Sequence, residues 1–269
     1  MRSIASQGGI LCQHLFQMMQ PSITQLLGDA NKPAVIFSNS LGTNYGMWQQ
    51  QFNHFKNDYF VICYDTRGHG ASTAPQGPYS IEQLGQDVIH LLDHLNINKA
   101  TFCGISMGGL TGQWLAIHQP ERFNHVIVCN TAAKIGQEQA WLDRATLVRE
   151  QGLSPIAATA ASRWFTNPFI QSQATIVETL SNDLAASSAE GYANCCEALA
   201  KADLREQLKD ITVPVLIVAG IQDPVTTLTD GQFMLDHIPH AQMFEINASH
   251  ISNIECPNEF NQAVQRFIA

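Results

Sequence analysis

Gly104-Ile105-Ser106-Met107-Gly108 is a G-x-S-x-G sequence placed between two kinds of pattern. Before it runs a short apolar stretch, Ala100 to Cys103. After it comes a helical pattern that stops near Pro120. At a strand-to-helix turn this motif bends the backbone so sharply that a nucleophile is lifted clear of the sheet. The cause is steric. Such a corner leaves its neighbours almost no room for side chains, and Gly104 and Gly108 supply that room. Gly109 lets the following helix pack close to the sheet. The Ser106 hydroxyl is expected at the carboxyl end of its strand, over a helix N-terminus.

Short apolar runs recur on either side of this corner: Ala34 to Phe37, Tyr59 to Tyr64, Val126 to Cys129, Val215 to Ala219 and Met243 to Ile246. They lack polar alternation, so they read as strands buried on both faces. Helical patterns separate most of them. Ile81, Leu84, Val88, Leu91, Leu92 and Leu95 repeat at helical spacing, and Ser80 with Gln83 makes a capping box. A last helix is expected over Phe260 to Ile268. Strands and helices alternating in this way predict a mostly parallel, doubly wound α/β sheet. The alternation breaks between about Thr131 and Asp210, a stretch rich in Ala with no strand pattern. It is too long for one ordinary crossover. The expected organisation is a core over 1–131, an inserted helical cap over 132–210, and the rest of the core over 211–269.

The chain has 269 residues and a net charge of −9. Nothing in it would neutralise a row of phosphates, which argues against nucleic acid, and an anionic membrane surface is equally unfavourable. An anionic small substrate would need a local cation against the overall field. Seven cysteines without a C-x-x-C pair read as small core hydrophobes rather than as a redox or disulfide framework. No signal-like apolar segment opens the chain, and no apolar run approaches the ~18 residues of a membrane helix. A soluble, cytoplasmic protein is expected. Self-association into a homo-oligomer is left open.

A serine hydroxyl needs a base. His250 lies just past the last strand pattern, in Asn247-Ala248-Ser249-His250, and Asp223 lies just past the preceding one, in Gly220-Ile221-Gln222-Asp223-Pro224. Both emerge at the edge where Ser106 stands. The order serine, acid, histidine along the chain is that of the α/β-hydrolase fold. Asp223 is expected to hold the imidazole in the tautomer that accepts the serine proton. Asp230, the rival acid, falls inside the following helical stretch. The tetrahedral oxyanion needs preorganised donors, each worth ~3 kcal/mol in the transition state. The backbone N–H of Met107 is one candidate, and that of Leu41, in Ser38-Asn39-Ser40-Leu41-Gly42-Thr43, is the other.

Two further clusters look chemical. Asp65-Thr66-Arg67-Gly68-His69-Gly70 follows a strand, but without a nucleophile it reads as a structural turn with an internal Asp–Arg contact. His90 and His94 have the spacing of metal ligands on a helix, but with no third ligand they read as a solvated face. No cofactor and no metal are expected.

Several stretches resemble the 3-oxoadipate enol-lactonases of bacterial aromatic degradation. They are Ser38 to Thr43 with Trp48, Gly104 to Trp114, Pro120-Glu121-Arg122, Asn130 to Gly136, Arg163-Trp164-Phe165, and Gly191 to Leu199. The resemblance runs from about Lys32 to the C-terminus and includes the cap. Residues up to Ala30 depart from the usual opening hairpin, and no fused decarboxylase domain is expected. The resemblance implies a five-membered enol-lactone bearing a carboxymethyl arm as substrate. The residues alone imply acyl transfer from an ester or lactone. A carbon–carbon bond hydrolase of meta-cleavage products, a general carboxylesterase, and a ligand receptor on a hydrolase scaffold are the alternatives. For the substrate carboxylate the cap offers Lys134, Arg144, Arg149, Arg163, Lys201 and Arg205. Arg163 is favoured because Trp164 and Phe165 adjoin it and lower the local dielectric. Trp141 and Trp164 are the expected aromatic contacts.

An organophosphonate should label Ser106 once per chain, and Ser106→Ala should lose nearly all turnover. Peptide mass spectrometry reads the label. Modification elsewhere, with Ser106→Ala fully active, would remove Ser106 from the mechanism.

Overall fold

The computed structural model describes residues 23–269. The departure noted for the N-terminal stretch therefore lies mostly outside the described residues. In chain order the strands are β1 (Ile23–Leu27), β2 (Ala34–Ser38), β3 (Phe60–Tyr64), β4 (Ala100–Ile105), β5 (Phe123–Cys129), β6 (Val215–Gly220) and β7 (Gln242–Ile246). The helices that precede or flank them begin with α1 (Gln49–Phe55), α2 (Ile81–His94) and α3 (Met107–His118). Between β5 and β6 come α4 (Glu138–Gln151), α5 (Ser154–Ala157), α6 (Ala160–Trp164), α7 (Asn167–Ser172), α8 (Ala174–Ala185) and α9 (Ala189–Lys201). The chain finishes with α10 (Leu228–His237), α11 (Ser252–Glu255) and α12 (Pro257–Ile268).

Among the described residues the strands form one sheet in the order β1-β3-β2-β4-β5-β6-β7. Only β1 runs antiparallel, against β3; every other pairing is parallel. The chain moves from β2 outward to β3, then returns to the other side of β2 as β4. Connections leaving β2 and β4 therefore diverge, and a crevice opens at their carboxyl ends. That crevice lies between the Ser38–Thr43 loop and Ser106.

The central strands are mostly apolar because helices cover both faces, with Thr101 in β4 and Asn124 and His125 near the start of β5 as exceptions. Val35, Ile36, Phe37, Phe102, Cys103 and Val126 have no exposed surface. The expectation fails at the last strand. β7 is the sheet edge, and Gln242 and Glu245 are exposed while Met243 and Phe244 are half-buried. The final helix also begins three residues earlier than its apolar pattern, at Pro257, whose fixed φ suits a first helical turn. The capping box at Ser80 is present in both directions, and His90 and His94 lie on the exposed side of α2.

The turn after β3 holds a second correction. Arg67 does not pair with Asp65. Its guanidinium makes a bidentate pair with Asp87, on the inward face of α2, and lies over the Tyr79 ring, 5.3 Å from its centre. Asp65 instead folds back on its own turn and reaches the segment after β2, accepting the N–H groups of Ala71 and Tyr45, both at 2.8 Å. Asp87 is one step along the face that carries Leu84 and Leu91, so its carboxylate is buried and needs a cation. Arg67→Met would leave that charge uncompensated, at a cost of roughly 3–5 kcal/mol. Thermal unfolding should fall by roughly 10 °C. Arg67→Met combined with Asp87→Leu should regain most of the loss. A double variant no more stable than the single one would show that the pair is not the source.

Candidate active site

Ser106 has φ 57° and ψ −114°, in the region that side chains disfavour. Three contacts hold it there. Its N–H donates to Cys129 O at 2.9 Å, and its carbonyl accepts from Thr131 Oγ1 at 2.8 Å and from the Leu110 N–H at 2.9 Å. The flanking glycines are required by backbone approach. A Cβ at Gly104 would lie 2.3 Å from the Gly108 carbonyl oxygen, and one at Gly108 would lie 2.4 Å from Ser38 O. Neither backbone atom can move aside without unpacking the sheet.

Asp223 and His250 follow β6 and β7 and are both buried. His250 Nδ1 is 2.8 Å from Asp223 Oδ2. The carboxylate collects further donors: the N–H groups of Val225 (2.8 Å) and Thr226 (3.1 Å) on Oδ1, and Thr226 Oγ1 (2.8 Å) and Asn130 Nδ2 (3.1 Å) on Oδ2. Burial alone would raise this carboxyl. The adjacent imidazole of His250 and the donated N–H groups outweigh it and hold Asp223 below the usual carboxylate range. An ionised acceptor at Nδ1 leaves the Nε2 lone pair for a proton from outside the pair. Asp230 is engaged elsewhere, closing a capping box with Thr227 at the start of α10.

The Ser38–Thr43 loop is fixed from several directions. Its Asn39 carbonyl accepts the Gly108 N–H at 3.1 Å. The Asn39 side chain accepts from Trp48 Nε1 at 3.0 Å and donates to Tyr64 O at 3.2 Å. The Gly42 N–H points to His69 Nε2 at 2.8 Å, and the Thr43 N–H to Ser40 O at 3.2 Å. Among the described residues no protein acceptor takes the intervening Leu41 N–H. Met107 opens α3, so its N–H also lacks an intrahelical acceptor.

Ser106, His250 and Leu41 border a cavity of about 270 Å³ whose outer wall includes Trp141, Arg163 and Trp164. The sequence match to the alpha/beta hydrolase fold family spans residues 33–257. Over 238 residues the chain is 69% identical to 3-oxoadipate enol-lactonase 2 of Acinetobacter baylyi, covering 88% of this chain and 89% of the relative. It is 50% identical to enol-lactonase 1 of the same organism, covering 91% of each. A crystal structure of the enol-lactonase from Burkholderia xenovorans LB400 superposes with a TM-score of 0.89 at 41% identity, covering 91% of this chain and 95% of that one. The chain belongs to the enol-lactonase family of α/β-hydrolases.

The same cavity contains Arg144, one of the six cap cations offered by the sequence, and Tyr192 and Leu184, to which the sequence assigned no role. Arg144 stacks on the Trp141 ring, 4.9 Å from its centre, while Trp141 Nε1 donates to Ile135 O at 2.6 Å. Arg163 donates to Thr159 Oγ1 (2.6 Å), Thr159 O (3.0 Å) and Ile156 O (3.1 Å). Burial, and after it the charge of Arg144, lower the Arg163 pKa from its ordinary value.

Two more residues hold the site together in roles that the sequence did not assign to them. Asn130, at φ 43°, donates to both Asp223 Oδ2 and Ser249 O (3.0 Å) and accepts from Ser252 Oγ at 2.5 Å. Glu255 accepts the Ser249 N–H at 2.9 Å on one oxygen, and on the other the N–H and hydroxyl of Thr166. The Ile251 N–H donates to Trp164 O at 3.0 Å. The loop carrying His250 is thus bonded on both sides to the segment that carries Trp164.

Asp223→Asn should fold but present His250 in the wrong tautomer, lowering kcat by ~10⁴. Asp230→Asn should lose only a cap and keep kcat. The opposite pattern in steady-state assays would reassign the acid.

Proposed function

We propose that the protein opens the ring of 3-oxoadipate enol-lactone to give 3-oxoadipate through an acyl-enzyme on Ser106. His250 Nε2 takes the Ser106 hydroxyl proton as Oγ bonds to the lactone carbonyl carbon. The carbonyl oxygen becomes an oxyanion facing the N–H groups of Leu41 and Met107. When the tetrahedral centre collapses, the ring C–O bond breaks and the imidazolium returns its proton to the departing enol oxygen. The freed enol tautomerises to the ketone. Water, deprotonated by His250, attacks the acyl carbon, and Ser106 leaves with the proton restored.

The observation that carries the substrate reading is the state of the cap cations. Lys134 pairs with Asp203, Arg149 with Glu190 and Glu197, Lys201 with Glu138, and Arg205 with Asp203. Among the described residues Arg144 and Arg163 have no carboxylate partner, and these two border the cavity of Ser106 and His250. Two facing, partly desolvated guanidinium groups repel each other, so an anion between them is favourable despite the net charge of −9. A lactone with a carboxylate arm supplies that anion, with Trp141 and Trp164 flanking it. Arg163 is already committed to main-chain carbonyls, which fixes its orientation; Arg144 is held by its stack on the Trp141 ring.

Ultraviolet decay of the enol-lactone with purified protein should show steady multiple turnover. Arg163→Met and Arg144→Met should each lower kcat/KM for the lactone about 10–100-fold, as loss of a charge-assisted contact does. Turnover of a neutral ester of similar size should hardly change. Equal losses on both substrates, with a lower Tm, would make these arginines structural pins. Absence of lactone turnover beside ester hydrolysis would refute the substrate.

A further inference from the structure

The turn after β3 has a histidine that the proposed chemistry does not use. His69 is buried, in a turn closed by the His69 N–H to Thr66 O (2.9 Å) and the Gly68 N–H to Thr73 O (2.8 Å). Its ring reaches across to the loop after β2. Nε2 lies 2.8 Å from the Gly42 backbone nitrogen, and Nδ1 lies 3.3 Å from Arg67 O. A backbone N–H only donates and a carbonyl only accepts. Nε2 must therefore carry the lone pair and Nδ1 the proton. The contact exists only with a neutral imidazole in that one tautomer.

Gly42 is the residue after Leu41 and has φ 82°, in the left-handed region. On its other side the loop is tied by Asn39 O to the Gly108 N–H, at the start of α3. Two bonds thus bracket the Leu41 peptide, one from the helix that carries the nucleophile's neighbour and one from His69. We propose that His69 is a positioning residue, whose neutral Nε2 holds the Gly42 N–H and so aims the Leu41 N–H at the oxyanion. The proposal rests on Leu41 being an oxyanion donor.

The surroundings keep the ring neutral. Burial, opposed only weakly by the Arg67 carbonyl, pushes the His69 pKa down to about 4. The charged groups nearest along its own turn are both engaged: Arg67 with Asp87, and Asp65 with the N–H groups of Tyr45 and Ala71. From the helical insert the Tyr192 ring faces it at 6.5 Å, and burial pushes that phenol up to about 12, so it too is neutral. From the loop after β2 the facing group is the Gly42 N–H itself.

The test uses the intact protein, p-nitrophenyl acetate as substrate, and a boronic acid as mimic of the tetrahedral adduct. Histidine ¹⁵N spectra at neutral pH should show His69 with an unprotonated Nε2 and a protonated Nδ1; the reverse tautomer overturns the proposal. His69→Leu should lower kcat about 10–100-fold with KM within about twofold, and weaken the boronic acid comparably. His69→Gln, whose Oε1 can accept the same N–H, should regain most of both. Should His69→Leu keep wild-type kcat, or should Gln rescue nothing while the variant stays folded by circular dichroism, the positioning role is refuted. The simple ester separates this outcome from the substrate reading. A protein that shows the whole pattern yet leaves the enol-lactone untouched refutes only the latter.

Discussion

The corner at Ser106 can form only because two glycines let main chain touch main chain. The Gly108 carbonyl presses where a Gly104 side chain would begin, and Ser38 O presses where that of Gly108 would begin. These approaches join β2, β4 and α3 into one rigid block. Two consequences for the site come from that block. The Ser106 backbone is held in a disfavoured conformation by donors and acceptors from β5 and its following loop. The loop after β2 is close enough for its Asn39 carbonyl to receive the Gly108 N–H. The Ser106 corner and the loop that presents the Leu41 N–H are therefore set by the same contact.

Charge is arranged on a larger scale in the opposite sense to the whole. An acidic chain places two guanidinium groups at one cavity wall, while Glu138, Glu190, Glu197 and Asp203 of the insert pair with other cations. The field that matters to a small anion is the local one, because the wall is aromatic and partly dry. The arrangement also separates two jobs. Stacking on Trp141 and bonding to the Ile156 and Thr159 carbonyls fix the cations in place, while the core fixes Ser106, Asp223 and His250.

Much of this was legible in the sequence, for a definite reason. Ser106, Asp223 and His250 each lie within a few residues of the end of an apolar run, so their placement at one sheet edge follows from strand direction alone. The capping box of α2 is local too. Other features depend on neighbours far along the chain. Asp65 is two residues from Arg67, yet Asp87 is its partner, because the inward face of α2 passes over the turn. The Met243 to Ile246 stretch looks like any inner strand, and only the strand order makes it an edge. Glu255 carries no pattern, and Asn130 stands out only as the first residue of a stretch that resembles the family, with nothing to show what it bonds. Their partners are from 6 to 122 residues away in sequence, and only the folded chain brings them together.

Glu255 is shared property. One oxygen serves the Ser249 backbone, next to His250, and the other serves Thr166 in the helical insert. The insert is therefore not an independent module that evolution can exchange at will. A foreign insert transplanted onto this core would arrive without Thr166, leaving a half-buried carboxylate short of donors beside the histidine loop. Lineages that diversify the insert must carry its anchoring residue along, or change Glu255 in the same step. Substrate range can drift more freely in the parts of the insert away from Trp164 and Thr166, which are bonded to the His250 loop and to Glu255 beside it, and only slowly at those two positions.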